Sequence, residues 1–512
     1  MPLTLLDFQV KPSSELERIT GQGRNVYLQG VTGSGKTYTI AKALENITKT
    51  DAFKDFDELE STRPCNVLIL CPKSVKYVWQ GVIKEARLKA TRVMSYGELR
   101  TSAGERAFGI EWKSYVDSKG DISYAPEWPR ETMPLLLVLD EVHNVKNPES
   151  QQSQVVIEYI KAKQGRVIAT SATPFVKLEE AFVLALAAGL TDGRRFKRDI
   201  EQLVGPWIDI SKASPEGSKR FREALQEADC FAEITGVKFL HQCRTRTLLT
   251  DFDTPEDAKF YNNYYANYIA VLAKAGKYSH AGSFEVLREW NKLREASDHL
   301  RVKPIAREAI RLHRDENKSV IIFSNFVEPL RKYWKELVRV HGINPDRISF
   351  VLGGQKEEER NEQIRKFQEG RADFCLATLK TGKEGISLDH CPAFASVNRP
   401  RAVLLPCDWS PISMLQAAGR AHRVLTQSTT YLYVHLFKGT IEEHVKNIAS
   451  NGTAALREIL TRKESLLDIF NQAAGLDSKA LAEVNNKLIE DTADIDEESG
   501  EALTYADNLL VA

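Results

Sequence analysis

The feature that most constrains this chain is an eight-residue run, Gly-Val-Thr-Gly-Ser-Gly-Lys-Thr, at positions 30–37. It fits the pattern G-x-x-x-x-G-K-[ST], in which the backbone N–H groups of a glycine-rich turn surround phosphate oxygens. A short apolar stretch at 25–28 precedes the run, and a helix-forming stretch follows it from Thr39. The run therefore joins a strand to a helix N-terminus, where anions bind. This pattern predicts a parallel α/β domain that binds a nucleoside phosphate.

The polar positions of this loop have expected roles in binding ATP and Mg²⁺. Lys36 would reach the β- and γ-phosphates, and the hydroxyl of Thr37 would be a ligand of Mg²⁺. The other loop residues that we predict to contact the nucleotide are Thr32, Gly33, Ser34 and Gly35.

An acidic pair follows a wholly apolar stretch, 135–139, further along the chain. Such an uninterrupted apolar run is typical of a central parallel strand that is buried on both faces. Its end carries Asp140 and Glu141, at the edge of the sheet where ligands bind. Asp140 is predicted to hold Mg²⁺ through water, and Glu141 to polarise the attacking water as a general base. Together the two motifs predict an enzyme that hydrolyses a nucleoside triphosphate.

Composition narrows the class of protein further. The chain has 512 residues, of which 27% are charged and 42% hydrophobic, as is usual for a soluble globular protein. Its seven cysteines form no C-x-x-C pair, and there is neither a long apolar stretch nor a signal-peptide pattern. These observations favour a reduced, intracellular, cytoplasmic protein over a secreted or membrane-spanning one.

The charge is distributed unevenly along the chain. The net charge is zero, but residues 476–512 contain ten Asp or Glu and two Lys, which gives them −8 and leaves +8 on the rest. A mildly basic body fits local contacts with nucleic-acid phosphates. The acidic tail has two interpretations: a disordered, solubilising end, or a phosphate mimic that folds over a DNA-binding cleft.

Strand-like apolar runs fall into two series, each alternating with helix-like segments. Such alternation predicts a parallel sheet with crossover helices. Only the first series carries a phosphate loop, so we expect two lobes with the nucleotide in the cleft between them. The predicted strands are 25–30, 66–71, 135–140 and 166–170 in the first lobe, and 319–323, 347–352, 373–378, 402–406 and 431–437 in the second.

The order of the remaining motifs resembles that of a superfamily-two helicase, in particular the Swi/Snf-like branch of duplex-DNA translocases. The acidic box continues as Asp-Glu-Val-His-Asn-Val-Lys-Asn at 140–147, similar to the DEAH box of that branch. The other segments that resemble family motifs, in the family's order, are Leu-Asp-Phe-Gln at 6–9, Cys-Pro-Lys-Ser at 71–74, Ser-Tyr-Gly-Glu at 95–98, Ser-Ala-Thr-Pro at 171–174, Phe-Ser-Asn-Phe at 323–326, Thr-Leu-Lys-Thr-Gly at 378–382, Gln-Ala-Ala-Gly-Arg-Ala-His-Arg at 416–423 and Thr-Ile-Glu-Glu at 440–443.

The resemblance implies an α/β fold of two RecA-like parallel-sheet lobes in tandem, with helical insertions between them. It implies that Gln9 reads adenine, and that His143 and Gln416 sense the γ-phosphate and close the lobes. Arg420 and Arg423, three residues apart on what we predict to be one helix face, would act as arginine fingers. The domains would be lobe 1 at 1–185, a helical insertion region and linker at 186–305, lobe 2 at 306–460 and a helical, then acidic, tail at 461–512.

The resemblance further implies double-stranded DNA as the partner, bound through its phosphates without sequence specificity, so that forks, branches or bound proteins are remodelled. Two alternatives stay open. The first is a strand-separating DNA or RNA helicase, which the Ser-Ala-Thr sequence at 171–173 favours because general helicases have it. The second is a motor that a protein partner recruits. The predicted nucleic-acid contacts are Lys73, Ser95, Tyr96, Ser324, Asn325, Thr378 and Lys380.

Overall fold

The computed structural model describes residues 3–31, 33–50, 63–116, 122–163, 165–172, 174–175, 177–212, 214–237, 239–275, 282–379, 387–389, 399–406, 411–424 and 426–442. The described residues up to Phe239 form one compact unit, the first lobe, and those from Leu240 form another, the second lobe. Thr32, Lys380 and the acidic tail, for which predictions were made above, lie outside these ranges.

The first lobe is built on a parallel sheet. Its strands are β1 (Val26–Gln29), β2 (Val67–Cys71), β3 (Thr91–Ser95), β4 (Glu111–Val116), β5 (Ile122–Glu127), β6 (Leu136–Asp140), β7 (Arg166–Ser171) and β8 (Phe231–Glu233). Six of them form the sheet in the order β3-β2-β6-β7-β1-β8, with every neighbouring pair parallel, while β4 and β5 form a separate antiparallel hairpin. The strands β1, β2 and β6 are buried along their whole length, as in sheets that helices cover on both faces.

Helices supply the apolar faces that cover this sheet. Ile40 and Leu44 from one helix and Trp79 from another pack in one buried cluster with Val138 of β6 and Ile168 of β7. The helices of the first lobe are α1 (Asp7–Gly21), α2 (Lys36–Ile47), α3 (Lys76–Ala86), α4 (Tyr96–Leu99), α5 (Ser102–Phe108), α6 (Gln151–Ala162), α7 (Phe182–Ala187), α8 (Phe196–Val204) and α9 (Pro215–Glu227).

The second lobe repeats this architecture. Its strands are β9 (Cys243–Thr250), β10 (Ser319–Ser324), β11 (Ile348–Val351), β12 (Phe374–Thr378), β13 (Arg401–Pro406) and β14 (Thr430–Phe437). They form a six-stranded parallel sheet in the order β11-β12-β10-β13-β14-β9. Its helices are α10 (Pro255–Ala275), α11 (Gly282–Leu300), α12 (Val302–Arg314), α13 (Val327–Lys335), α14 (Glu357–Gln368) and α15 (Pro411–Ala421).

Two parallel sheets with crossover helices confirm the predicted α/β class of two RecA-like lobes, and all nine predicted strands are present to within two residues. Among the strands of the two six-stranded sheets, β3, β8 and β9 were not predicted. Two of them lie in the stretch 186–305, where only helices were expected: β8 completes the first sheet and β9 the second. The division into four domains stays a proposal. No helix in the described part of the chain is long and apolar enough to cross a membrane.

Candidate nucleotide-binding and catalytic site

The phosphate loop joins β1 to α2 in the way its sequence requires. Gly33 and Gly35 both have a φ of 77°, in the left-handed region that residues with a Cβ rarely adopt. Lys36, the first residue of α2, donates hydrogen bonds from Nζ to the carbonyl oxygens of Gly30 at 3.1 Å and Val31 at 3.2 Å. The ammonium group therefore lies against the loop, as the predicted phosphate-binding role of Lys36 requires.

Gln9, near the start of α1, braces this loop. Its Nε2 donates to the carbonyl oxygens of Ser34 at 3.0 Å and Gly35 at 3.3 Å, and its Oε1 accepts from the N–H of Leu6 at 2.9 Å. A Cβ at Gly35 would lie 2.1 Å from the same Nε2, so a larger residue there would have to displace this amide and also adopt the left-handed φ of 77°. The structure thus gives Gln9 a bracing role that the sequence did not predict, and its contact with adenine stays a prediction.

Asp140 ends β6 and is held on two sides. The indole Nε1 of Trp79 donates to its Oδ2 at 2.7 Å, and the hydroxyl of Tyr96 donates to its backbone carbonyl at 2.9 Å. Burial, together with the charge of Glu141, raises the pKa of the Asp140 carboxyl to about 6. A bound cation would offset this cost, because an opposite charge favours the ionised carboxylate.

Glu141 has φ 57° and ψ 61°, a left-handed conformation that is uncommon for a residue other than glycine. The Oγ of Ser171, at the end of β7, donates to Glu141 Oε2 at 2.9 Å. His143 Nδ1 lies 3.2 Å from the same Ser171 Oγ and 3.4 Å from Glu141 Oε2. The acidic box and the Ser-Ala-Thr segment are therefore joined at this edge of the sheet. The sequence placed Ser171 in a family motif but did not predict its contact with Glu141, which is 30 positions away.

These residues fit a nucleotide bound with Mg²⁺. Ser34 Oγ is buried and has no hydrogen-bond partner among the described residues, so a donor in the loop is available to a phosphate oxygen. Thr37 is half-buried in the first turn of α2, and Asp140 supplies a carboxylate. No cluster of three or more His, Cys, Asp or Glu side chains forms a metal cage within the described ranges. Mg²⁺ needs none, because it is usually held by one or two carboxylates, waters and substrate phosphates. Thr37 and Asp140 would hold it here.

The predicted catalytic residues of the second lobe lie at and beyond the end of α15. Gln416 is fully buried, and Arg420 is in the last turn and 7% exposed. The helix ends at Ala421. The N–H of Leu388 donates to the carbonyl oxygen of Arg420, and the hydroxyl of Thr430 donates to that of Ala421, in place of helical N–H groups. Arg423 therefore lies outside the helix, and the prediction that both arginines share one helix face is wrong. Their action on the γ-phosphate stays a prediction.

Of the predicted nucleic-acid contacts in the first lobe, Lys73 is exposed, in the turn between β2 and α3. Ser95 is 5% exposed and caps α4, where its Oγ accepts from the N–H of Glu98 at 3.2 Å. Tyr96 is 4% exposed and is bonded to Asp140 as described above. Tyr96 thus contacts the acidic box and Ser95 caps the adjoining helix. The contact of these three residues with nucleic acid stays a prediction.

In the second lobe, two of the predicted nucleic-acid contacts are bonded to Asp298 of α11. Ser324 Oγ and the N–H of Asn325 both donate to Asp298 Oδ2, at 2.8 Å and 2.7 Å. Thr378, at the end of β12, is 5% exposed. The role of these three residues in binding nucleic acid also stays a prediction.

Asp298 belongs to a buried ionic network that the sequence did not reveal. Arg301, 3% exposed, donates from its two terminal nitrogens to Asp298 and Glu442. The Nε of Arg301 donates to Nδ1 of His435 at 3.0 Å, so the imidazole of His435 is neutral. The other ring nitrogen of His435, Nε2, lies 2.8 Å from the hydroxyl of Thr250. Burial and the charge of Arg301 lower the pKa of His435 well below its usual value.

A glycine-rich phosphate loop and an acidic box at the carboxyl end of a parallel sheet define a P-loop nucleoside triphosphatase. Two family models match this chain. One is described as DEAD/DEAH box helicase and matches residues 13–181, and the other as helicase conserved C-terminal domain and matches residues 302–425. Together the two helicase models cover more than half of the chain, which therefore belongs to the superfamily-two helicases, a family of ATP-hydrolysing enzymes.

Individual relatives are more distant. The SNF2 domain-containing protein CLASSY 3 of Arabidopsis thaliana is 25% identical over 60% of this chain, which covers 24% of that protein. A protein of Acanthamoeba polyphaga mimivirus, whose name describes an ATP-dependent RNA helicase, is 23% identical over 81% of this chain and 76% of its own length. The structure of a Sulfolobus solfataricus SWI2/SNF2 ATPase core in complex with dsDNA is 17% identical and covers 94% of this chain and 97% of its own, at a TM-score of 0.34.

Proposed function

We propose that this protein is a DNA-stimulated ATPase that moves along duplex DNA without sequence specificity and remodels forks, branches or bound proteins. The observation that carries the proposal is the contact between the ATP site and a segment predicted to bind nucleic acid. Tyr96, in the Ser-Tyr-Gly-Glu segment, is hydrogen-bonded to the backbone of Asp140, which is the predicted Mg²⁺ ligand. Binding at the one segment can therefore act on the other.

The residues of the first lobe have defined tasks in ATP hydrolysis under this proposal. Lys36 would bind the β- and γ-phosphates, and Thr37 and Asp140 would hold Mg²⁺, which would neutralise charge on the phosphates. Glu141 accepts a proton from the attacking water, and its bond from Ser171 orients the carboxylate for that step. His143 lies beside this pair and would respond to its rearrangement.

Arg420 and Arg423 complete the set as the groups that we propose stabilise charge on the γ-phosphate. Arginine is suited to this task because its planar guanidinium is always protonated and binds two phosphate oxygens at once. An arginine finger is typically worth about 10³–10⁵ in rate.

The name of one relative supports DNA as the partner. The human chromodomain-helicase-DNA-binding protein 1 is 30% identical over 26% of this chain, which covers 7% of that protein. The exposed Lys73 is suited to bind a phosphate. A protein that tracks phosphates has no need to read bases, so we expect no sequence preference.

A strand-separating helicase is the second candidate. The observation that favours it is the mimiviral relative, whose name describes an RNA helicase and which matches this chain over 81% of its length. Ser171, which is joined to Glu141, also belongs to a Ser-Ala-Thr spelling that is typical of such helicases.

Steady-state ATPase activity separates the two candidates. It would be measured with no nucleic acid, blunt duplex DNA, single-stranded DNA and duplex RNA, with Lys36→Ala as the inactive control. Strong stimulation by blunt duplex DNA, falling steeply as salt is raised, is the expected result. Stimulation by single strands or RNA only would favour the helicase, and no stimulation by any of them would contradict both.

A further inference from the structure

Two buried side chains outside the phosphate loop hold Asp140. We propose that Trp79 and Tyr96 are positioning residues that transmit nucleic-acid contact in the first lobe to the Asp140 carboxylate and to the Asp140–Glu141 peptide. This inference rests on the proposed function, because it takes nucleic acid to be the activator. It adds to that function the path by which binding changes the rate of hydrolysis.

Trp79 controls the carboxylate itself. It is fully buried on α3, and its Nε1 donates to Asp140 Oδ2 at 2.7 Å. A hydrogen bond to an ionised acceptor is short and strong, and one bond of this kind fixes the rotation of the carboxylate about its own axis. Because Oδ2 accepts from the indole, we expect Oδ1 to be the oxygen that binds the metal. A shift of α3 therefore changes the orientation of a metal-binding group.

Tyr96 controls the backbone that follows. Its hydroxyl donates at 2.9 Å to the carbonyl oxygen of Asp140, which belongs to the peptide between Asp140 and Glu141. The orientation of this peptide determines where the chain enters the left-handed conformation of Glu141, with φ 57°. Tyr96 thereby helps to hold the general base in a conformation that would otherwise be costly.

An ion pair joins the two helices that carry these donors. Lys76, the first residue of α3, lies 2.8 Å and 3.0 Å from the two carboxylate oxygens of Glu98 in α4. Trp79 is on α3 and Tyr96 is on α4. Each helix is therefore bonded both to Asp140 and, through the ion pair, to the other helix. The predicted phosphate contact, Lys73, is in the turn that leads directly into α3. A pull on this turn is therefore carried to both sides of Asp140.

The first test compares two tryptophans. Trp79→Phe removes the indole N–H and keeps an aromatic ring in place. Trp128→Phe is the matched control, because Trp128 is also buried in the first lobe, at 2% exposure, while its Nε1 has no hydrogen-bond partner among the described residues. We expect Trp79→Phe to lower the ratio of duplex-stimulated to basal ATPase about tenfold. We expect the affinity for blunt duplex, measured by fluorescence anisotropy, to be unchanged, and Trp128→Phe to leave both quantities as they are.

The second test reads the metal site without turnover. Binding of a fluorescent ATP analogue is followed while Mg²⁺ is titrated. If Trp79 orients the carboxylate, Trp79→Phe raises the Mg²⁺ concentration at half-saturation by about tenfold, since groups that orient a metal ligand typically contribute this much to metal affinity. A tryptophan that only fills space would leave this midpoint where it is.

A tyrosine pair covers the case in which Trp79→Phe does not fold. Tyr96→Phe removes the bond to the Asp140 carbonyl. Tyr159→Phe is its control, because Tyr159 is equally buried and donates to the carbonyl oxygen of Pro134, at the opposite end of the same strand. Tyr96→Phe is expected to lower the stimulation ratio several-fold, about as much as one hydrogen bond contributes, while Tyr159→Phe leaves it unchanged.

The outcomes distinguish this inference from the proposed function. If nucleic acid does not stimulate the unmodified protein, the proposed function fails, and the Mg²⁺ midpoint alone decides whether Trp79 positions Asp140. If stimulation is present and equal in Trp79→Phe and Trp128→Phe, the inference is overturned and the function stands. A shifted Mg²⁺ midpoint with an unchanged stimulation ratio would overturn the transmission of nucleic-acid contact.

Discussion

The two lobes have the same architecture and differ in what lies at the carboxyl ends of their strands. In the first lobe, β6 ends in Asp140, the predicted Mg²⁺ ligand, and β7 ends in Ser171, which is bonded to the predicted general base Glu141. In the second lobe, β10 ends in Ser324, which is bonded to Asp298 in a buried ionic network. The comparison teaches that one parallel sheet can present strand-end polar groups to a ligand or use them to hold its own helices. The residues around the sheet decide which.

The largest expected effect comes from the catalytic side of this comparison. Glu141→Gln removes the general base and should lower the ATPase rate about 10²–10⁴-fold, because an amide cannot accept the proton. Nucleotide binding should persist, since the phosphate loop is intact. ATPase assays and binding of a fluorescent nucleotide measure the two properties. Glu149→Gln, the same change at an exposed residue of the same segment, is the control. Equal activity in both variants would remove Glu141 from the mechanism.

The structural side of the comparison is tested at Arg301. Arg301→Leu leaves the buried carboxylates of Asp298 and Glu442 without the positive charge of Arg301 and should destabilise the second lobe by about 3–5 kcal/mol. Hydrogen exchange measured by mass spectrometry should show faster exchange in β10 and β14 and unchanged exchange in β1 and β2.

The control for this change is an arginine at the surface. Arg307 pairs with Asp253 at 2.6 Å, but its side chain is 55% exposed. Arg307→Leu should therefore cost only about 0–1 kcal/mol. If both variants cost the same, the network does not distinguish the second lobe.

The next largest effect is expected from acid, which should lower the stability of the second lobe. Burial, together with Arg301, lowers the pKa of His435 well below 6.5, and burial lowers that of His422 to about 4. The unfolded chain takes up protons at these residues below pH 6.5, whereas the folded lobe does not. Stability is therefore complete above pH 6.5 and falls as the pH drops towards 4, by about 1 kcal/mol per histidine for each pH unit. Exchange rates of β14 amides between pH 7.5 and 5, corrected for intrinsic exchange, measure the loss, and an unchanged stability would contradict it.

The smallest of these effects is expected at the phosphate loop. Gln9→Ala removes the hydrogen bonds to the carbonyl oxygens of Ser34 and Gly35 and should weaken nucleotide affinity by about 1–2 kcal/mol, or roughly 5–30-fold. Titration with a fluorescent nucleotide gives the affinity. Gln22→Ala, at an exposed position just after α1, should leave it unchanged. If Gln9→Ala has no effect, the loop holds its shape without the brace.

The sequence predicted the central strands because their residues are apolar without interruption, as at 136–139 in β6. It did not predict β9, where Arg244 and Arg246 alternate with partly buried residues at the edge of the sheet and no apolar run forms. The strand β8 has three residues, too few for any periodicity. Edge and very short strands are determined by their neighbours in space, which a local pattern does not contain.

The candidate site follows the same rule. The phosphate loop and the acidic box were predicted because their chemistry is local in sequence. Trp79 is a buried residue whose bond to Asp140 spans 61 positions of the chain. The network around Arg301 joins residues 141 positions apart. Such pairs are decided by tertiary packing, and a single sequence carries no signal for them.

The fit between Gln9 and Gly35 has a consequence for how sequences of this kind can change. An added Cβ at position 35 would fall 2.1 Å from the amide of Gln9, so alanine there would have to displace that amide from the loop. Conversely, a shorter side chain at position 9 would open that space but lose the brace. The two positions are therefore coupled through the loop. A chimera that takes α1 from one protein and the phosphate loop from another should be designed with both residues from the same parent.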